Sequence, residues 1–236
     1  MGKEERNMFF WDYTYLFLIP PLILAFYAQA KVKSTYAKFS RVFASSGISG
    51  ARMAGEILNL GGANDVNIEK TPGQLSDHYD PRKKALRLSP GVYDSNSIAA
   101  LGVAAHESGH ALQHHTRYTP LHIRNMIYPV ANFGSTLAFP LFLIGFFMSS
   151  KGPNILMDIG ILLFAGAVLF SVLTLPVEFN ASRRAMTILG ERGYLKGQEL
   201  DGARKVLHAA ALTYVAATAM AAMQLLRMFL MRQSRD

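Results

Sequence analysis

The chain has 236 residues, 50% of them hydrophobic, and a formal net charge of +8 from 24 basic and 16 acidic side chains. It contains no cysteine, which excludes a disulfide framework and thiolate metal ligands. No basic run is interleaved with aromatics, so the positive balance bears on membrane topology and acidic lipid and excludes a nucleic-acid surface.

Four long apolar segments, each close to the roughly 20 residues that cross a hydrocarbon core of about 30 Å, predict a mainly α, multi-pass membrane protein in the lipid bilayer. The first runs from Met8 to Ala30, with Trp11, Tyr13 and Tyr15 placed as an aromatic belt. Its apolar run is longer than that of a signal peptide and carries Pro20-Pro21, so a retained helix is expected rather than a cleaved leader. A polar region follows. In it "SGISGARMAGEILNLGGAND" predicts a short helix with an apolar stripe of Ile48, Met53, Ile57 and Leu60, stopped by Gly61-Gly62. The stretches "VNIE", "QLSDHYD" and "ALRLS", separated by "KTPG" and "DPRKK", predict a short antiparallel meander. "DSNS" then offers several N-caps to a helix that continues through "AALGVAAHESGHALQHH".

The second and third apolar segments, Met126 to Met148 and Ile155 to Leu175, are joined by the polar "SSKGPN" and predict a membrane hairpin. The fourth, Ala209 to Met231, is rich in the small residues that let membrane helices approach closely. The expected organisation is a membrane helix in 1–30, a catalytic region in 31–125, the hairpin in 126–177, a further helix in 178–207 and a last membrane helix in 208–236. Four crossings place both termini and the Lys151 loop on one side. The other side carries the larger basic set, including Lys31, Lys33, Lys38, Arg41, Arg183 and Arg184, and is predicted to face the cytoplasm.

His106-Glu107-Ser108-Gly109-His110 is an H-E-x-x-H sequence. At about 100° per residue, His106 and His110 lie some 40° apart on one helix face and one turn apart along the axis. Two imidazoles so placed reach one tetrahedral ion, and Glu107, off to the side, is free to accept a proton from water. His114 shares that face but lies about 12 Å from His106 along the axis, too far to join the same ion. It is expected as a polar helix end, where a partly charged imidazole suits the C-terminal dipole.

A catalytic zinc takes three protein ligands and keeps one position open. No third histidine follows at the spacing that would complete the set locally, since the residues after His110 read "ALQHHT". Glu178 in "LPVEFNASRRAMTIL", directly after the third apolar segment, is the best candidate; its alternative is an interfacial ion pair with Arg183 or Arg184.

These residues, with the blocks "LSDHYDPRKKALRLSPGVYDSNSIAALGVAAHESGHALQH", "PVANFGS", "LPVEFNASRRA" and "AALTYVAA", give the chain a resemblance to the YugP-type bacterial membrane zinc metallopeptidases. It is more distantly similar to the integral-membrane proteases of the HtpX and CAAX-prenyl-protease kind. The resemblance implies a small α+β zincin-like catalytic region in a bacterial inner-membrane protein, with one zinc ion per chain. It also implies His106, His110 and Glu178 as ligands and Glu107 as general base. In the HtpX-like group the glutamate opens an E-x-x-x-D pattern, whereas the fifth position here is Ser182. Asp77 or Asp80 is then open to the task of orienting a ligating imidazole, or to a plain role in turns and strand ends. Tyr214 is either an oxyanion donor or a packing residue.

The expected activity is endopeptidase hydrolysis of a peptide or membrane-protein substrate, bound as an added strand beside Ala85, Leu86, Arg87 and Leu88. The rival from another class is a non-enzymatic membrane scaffold or transport component with a structural metal. The ionisable residues Asp12, Asp158 and Arg227 near the ends of the apolar segments would then be central.

Overall fold

The computed structural model describes residues 13–148 and 154–234. Trp11 and Asp12, together with Lys151 and the terminal residues 1–12 and 235–236 of the topology argument, lie outside the described residues. A 3-10 turn at Tyr13–Leu18 leads into α1 (Ile19–Phe39), followed by α2 (Gly50–Leu60), β1 (Asn67–Lys70), β2 (His78–Asp80) and β3 (Ala85–Leu88). Then come α3 (Pro90–Tyr93), α4 (Ile98–His115), α5 (Thr119–Met148), α6 (Ile155–Glu191) and α7 (Gln198–Gln233). Among the described residues four helical stretches, Tyr13–Phe39, α5, α6 and α7, are long and apolar enough to cross a membrane. The chain is a mainly α membrane protein with a small α+β region.

Two compact units divide it. The first comprises the described parts of Met1–Tyr27, Arg124–Leu173 and Thr213–Asp236. Its interior joins Phe142 and Phe146 of α5 to Met157 and Ile161 of α6 and to Met228 and Met231 of α7. Asn154 starts α6 as an N-cap, its side-chain oxygen accepting from the amides of Leu156 (3.1 Å) and Met157 (3.2 Å). Asp158 pairs with Arg232, and the buried Arg227 guanidinium stacks 3.7 Å from the Tyr15 ring centroid.

The second unit comprises Ala28–Ile123 and Thr174–Leu212. Its core gathers Met53, Ile57 and Leu58 of α2, Leu86 and Leu88 of β3, Leu101 and Leu112 of α4, Leu189 of α6 and Leu207 of α7. Each such side chain contributes roughly 1.5–3 kcal/mol by leaving water. The α2 stripe is shifted from the expected one: Leu58 is buried and Leu60 is exposed. The helix is held at its start by Ser49, which accepts from the Arg52 amide, and it ends at Gly61, with Gly62 at φ +76° turning the chain away.

The three strands do not form the expected meander. Their order is β1-β3-β2, with β1 parallel to β3 and β2 antiparallel to it. The chain leaving β1 does not turn back. The Thr71 amide donates to Leu88 O (2.9 Å), and Asp77 accepts from the amide (2.7 Å) and hydroxyl (3.1 Å) of Ser89. These bonds fix a crossing past the end of β3, which delivers β2 to its far edge. Arg87 holds the register from the middle strand, reaching Glu69 (3.0 Å) on one side and Asp80 (3.1 Å) on the other. Ala85, Leu86, Arg87 and Leu88 are therefore hydrogen-bonded on both sides. They cannot be the edge that receives a substrate strand, and among the described residues that edge belongs to β1 or β2.

Candidate metal centre

The helix that carries the histidines is defined at both ends. Ser97 caps α4 by accepting from the Ala100 amide (3.2 Å), which selects one N-cap from the four polar residues before it. At the other end the amides of Arg117 and Tyr118 donate to His114 O (3.1 Å) and Gln113 O (2.9 Å), with Arg117 at φ 52°. That is the six-to-one and left-handed closure of a helix terminus. Between the caps Ala99, Ala100, Ala104, Ala105 and Ala111 are all fully buried. Small residues let neighbouring backbone come close. A Cβ placed on Gly109 would lie 2.8 Å from the carbonyl oxygen of Ala181, so α4 and α6 touch here backbone to side-chain-free backbone.

That approach brings Glu178 to the histidine pair. Its Oε2 lies 3.4 Å from His106 Nε2 and 3.5 Å from His110 Nε2, and one donor atom from each residue falls within 4.8 Å of the others. The two rings stand edge to face with centroids 4.8 Å apart. Glu178 is 2% exposed, a burial that a carboxylate tolerates only with close partners.

The outward nitrogens of both rings are also engaged. Ser182 Oγ lies 3.1 Å from His106 Nδ1, and Gln113 Oε1 lies 3.0 Å from His110 Nδ1. Gln113 is held in turn, donating to Val177 O (2.8 Å) and to Asn180 Oδ1 (2.9 Å), and Asn180 also accepts from Arg184 Nε (2.9 Å). Two imidazoles with Nδ1 occupied and Nε2 convergent on one buried carboxylate oxygen make a donor set that fits zinc. Burial pushes the Glu107 carboxyl above its ordinary range, against the pull of His106 and His110.

Asp77 and Asp80 do not reach either ring. Asp77 is committed to Ser89, while Asp80 accepts from the amides of Arg82 (3.0 Å) and Lys83 (3.2 Å) and pairs with Arg87. They are crossing and turn residues, and the hydroxyl of Ser182 stands at the imidazole instead. Gln113 and Asn180 went unnoticed in the sequence; the only signal was a glutamine three residues after His110. His114 sits in the last turn of α4, as expected, but it is partnered there. Its Nδ1 lies 2.8 Å from Tyr79 Oη, and burial together with the neighbouring His122 holds it below its ordinary value. Tyr214 lies on α7 in the first unit, partly exposed.

Comparison with known proteins points to zinc as the metal of the family. Residues 14–233 match the family model described as "Putative neutral zinc metallopeptidase". The chain is 50% identical over 214 residues to the "Putative membrane protease YugP" of Bacillus subtilis (strain 168), covering 90% of this chain and 94% of that one. No solved structure matches. On a family match that spans both units and every residue of the His106, His110 and Glu178 cluster, the chain belongs to the neutral zinc metallopeptidase family named by that model.

Proposed function

We propose that the protein is a membrane-embedded zinc endopeptidase, with His106, His110 and Glu178 as the zinc ligands and Glu107 as the general base. The observation that carries this reading is the convergence of two Nε2 atoms on Glu178 Oε2, at 3.4 and 3.5 Å, with the half-buried Glu107 next in sequence to one of the two histidines. A zinc ion held there supplies Lewis acidity, polarising a peptide carbonyl and lowering the proton affinity of water. The side chains do the rest. Ser182 and Gln113 fix the two rings so that both Nε2 lone pairs face inward. The burial that raises the proton affinity of Glu107 suits it to take a proton from water and return it to the departing amine.

Substrate would join the sheet at β2, the outer strand whose Tyr79 reaches α4, adding main-chain hydrogen bonds along its unpaired side. The basic flanks support a site on the cytoplasmic side, and a C-terminal reporter located in the cytoplasm would reverse that orientation.

The deciding experiment is Glu107→Gln in purified full-length protein. Metal content measured by elemental analysis should stay near that of wild type while peptide hydrolysis disappears. Hydrolysis retained by this variant in a preparation free of other proteases would refute the assignment.

A further inference from the structure

One turn beyond His110 on the same face of α4, a cavity of about 280 Å³ opens within the second unit, lined by Asp65, Tyr79, Lys84, His114, Arg117 and His122 among others. Its walls are unusual in composition. Two carry permanent positive charge, three are imidazoles (His114, His115 and His122), and the one carboxylate, Asp65, pairs with Lys84, so Arg117 is the cation left over. Arg117 has no ion pair among the described residues. The Nε2 of His122 is buried and has no hydrogen-bond partner among the described residues. His114 has its Nδ1 beside the Tyr79 hydroxyl, which leaves its Nε2 as the second ring atom to meet a ligand.

Backbone conformation singles out the two cations. Of the three non-glycine residues at positive φ among those described, Lys84 (48°) and Arg117 (52°) both line this cavity. Arg117 follows the C-cap of α4, the position where glycine is the usual occupant, and Lys84 closes the turn before β3. A long cationic side chain at either place works against local sterics. Strain of this kind concentrates at sites that hold ligands.

We propose that this cavity is a subsite for a substrate carboxylate, received by Arg117 and Lys84 with the imidazoles of His114 and His122 beside them. The inference rests on the peptidase reading above, whose substrate class it narrows. One helical turn is about 5.4 Å and an extended peptide advances about 3.3 Å per residue, so the carboxylate falls one or two residues from the bond that is cut. It belongs either to an aspartate or glutamate side chain or to the C-terminus of the substrate.

The test is binding, so that it does not depend on turnover. Fluorescently labelled hexapeptides are titrated by anisotropy into full-length Glu107→Gln protein in detergent, with and without added zinc. One pair of peptides differs as glutamate against glutamine, the other as a free against an amidated C-terminus. A carboxylate peptide is expected to bind about tenfold tighter than its neutral partner, the scale of a charge-assisted contact, and the pair that shows the difference identifies the source. In Arg117→Gly combined with Lys84→Gly, substitutions that suit the left-handed backbone, the advantage should fall below about twofold. Arg82→Gln, on the same turn but outside the cavity, should keep it. Equal binding within both pairs, or an advantage that survives the double glycine variant, overturns the subsite. A binding preference in a chain whose wild type hydrolyses nothing supports the subsite and removes the peptidase reading alone. Hydrolysis indifferent to acidic residues, with equal binding, does the reverse.

Discussion

Ser182 stands one helical turn after Glu178 and places its Oγ 3.1 Å from Nδ1 of His106, so one short stretch of α6 supplies both a buried carboxylate and the hydroxyl that orients its neighbouring ring. A hydroxyl is a weaker acceptor than a carboxylate for an imidazole N–H, so it fixes the tautomer with less gain in ring basicity.

Ser182→Ala should therefore weaken zinc binding by about tenfold, at the low end of the 10–100-fold cost typical of such partners. Ser182→Asp should restore or exceed wild-type affinity. Competition with a chromogenic chelator measures both, and unchanged affinity in Ser182→Ala would show the hydroxyl to be a bystander.

Gln113 is fully buried and satisfies three groups at once: His110 Nδ1, Val177 O and Asn180 Oδ1. Replacing it with leucine keeps the volume and strips the donors and acceptor, leaving buried polar atoms on both helices. The expected loss is about 2 kcal/mol of stability together with weaker zinc binding. A thermal melt of the chelator-treated protein isolates the first effect, and a variant as stable as wild type there would contradict the network described.

The difference between Ser182 and Gln113 shows where the sequence was informative. The grouping of His106, His110 and Glu178 was legible because spacing along one helix puts the two imidazoles on one face, and because a carboxylate directly after an apolar run needs a reason. Gln113 and Asn180 were not, since a polar residue near a helix end has no local mark that separates a bridging role from a solvated one. Strand lengths and caps could be read, but the position of β3 between β1 and β2 depends on Asp77 meeting Ser89, a contact between residues on different strands' flanks. For the same reason Ala85–Leu88 lie in the middle strand, where no substrate strand can add. Alternation along a strand does not say which neighbours it has.

Gly109→Ala sets two effects against each other. Alanine gains roughly 1 kcal/mol over glycine in a helix interior, whereas a Cβ 2.8 Å from Ala181 O meets backbone that has no rotamer to change, an overpacking cost of about 1–3 kcal/mol. The net change in stability should be small or unfavourable. Zinc affinity should fall clearly, because any parting of α4 from α6 here separates His106 and His110 from Glu178. Affinity equal to wild type would mean that the close approach does not set the ligand distances.

Asp80 offers a contrast with the ligand cluster, because its carboxylate serves the turn and the sheet and touches no imidazole. Partial burial alone would raise its proton affinity, but the amides of Lys83 and Arg82 and the Arg87 guanidinium outweigh that and hold it below its ordinary value. A carboxylate depressed in the folded state contributes stability that is present above its unfolded pKa of about 3.9 and is lost as pH falls through the lower folded value. Chelator-treated wild type should thus lose stability below about pH 4 more steeply than Asp80→Asn, while the two differ at neutral pH by the full contribution. Zinc content of the variant should equal that of wild type. If Asp80→Asn instead releases zinc at neutral pH with its melting curve unchanged, the carboxylate acts on the metal ligands and not on the turn.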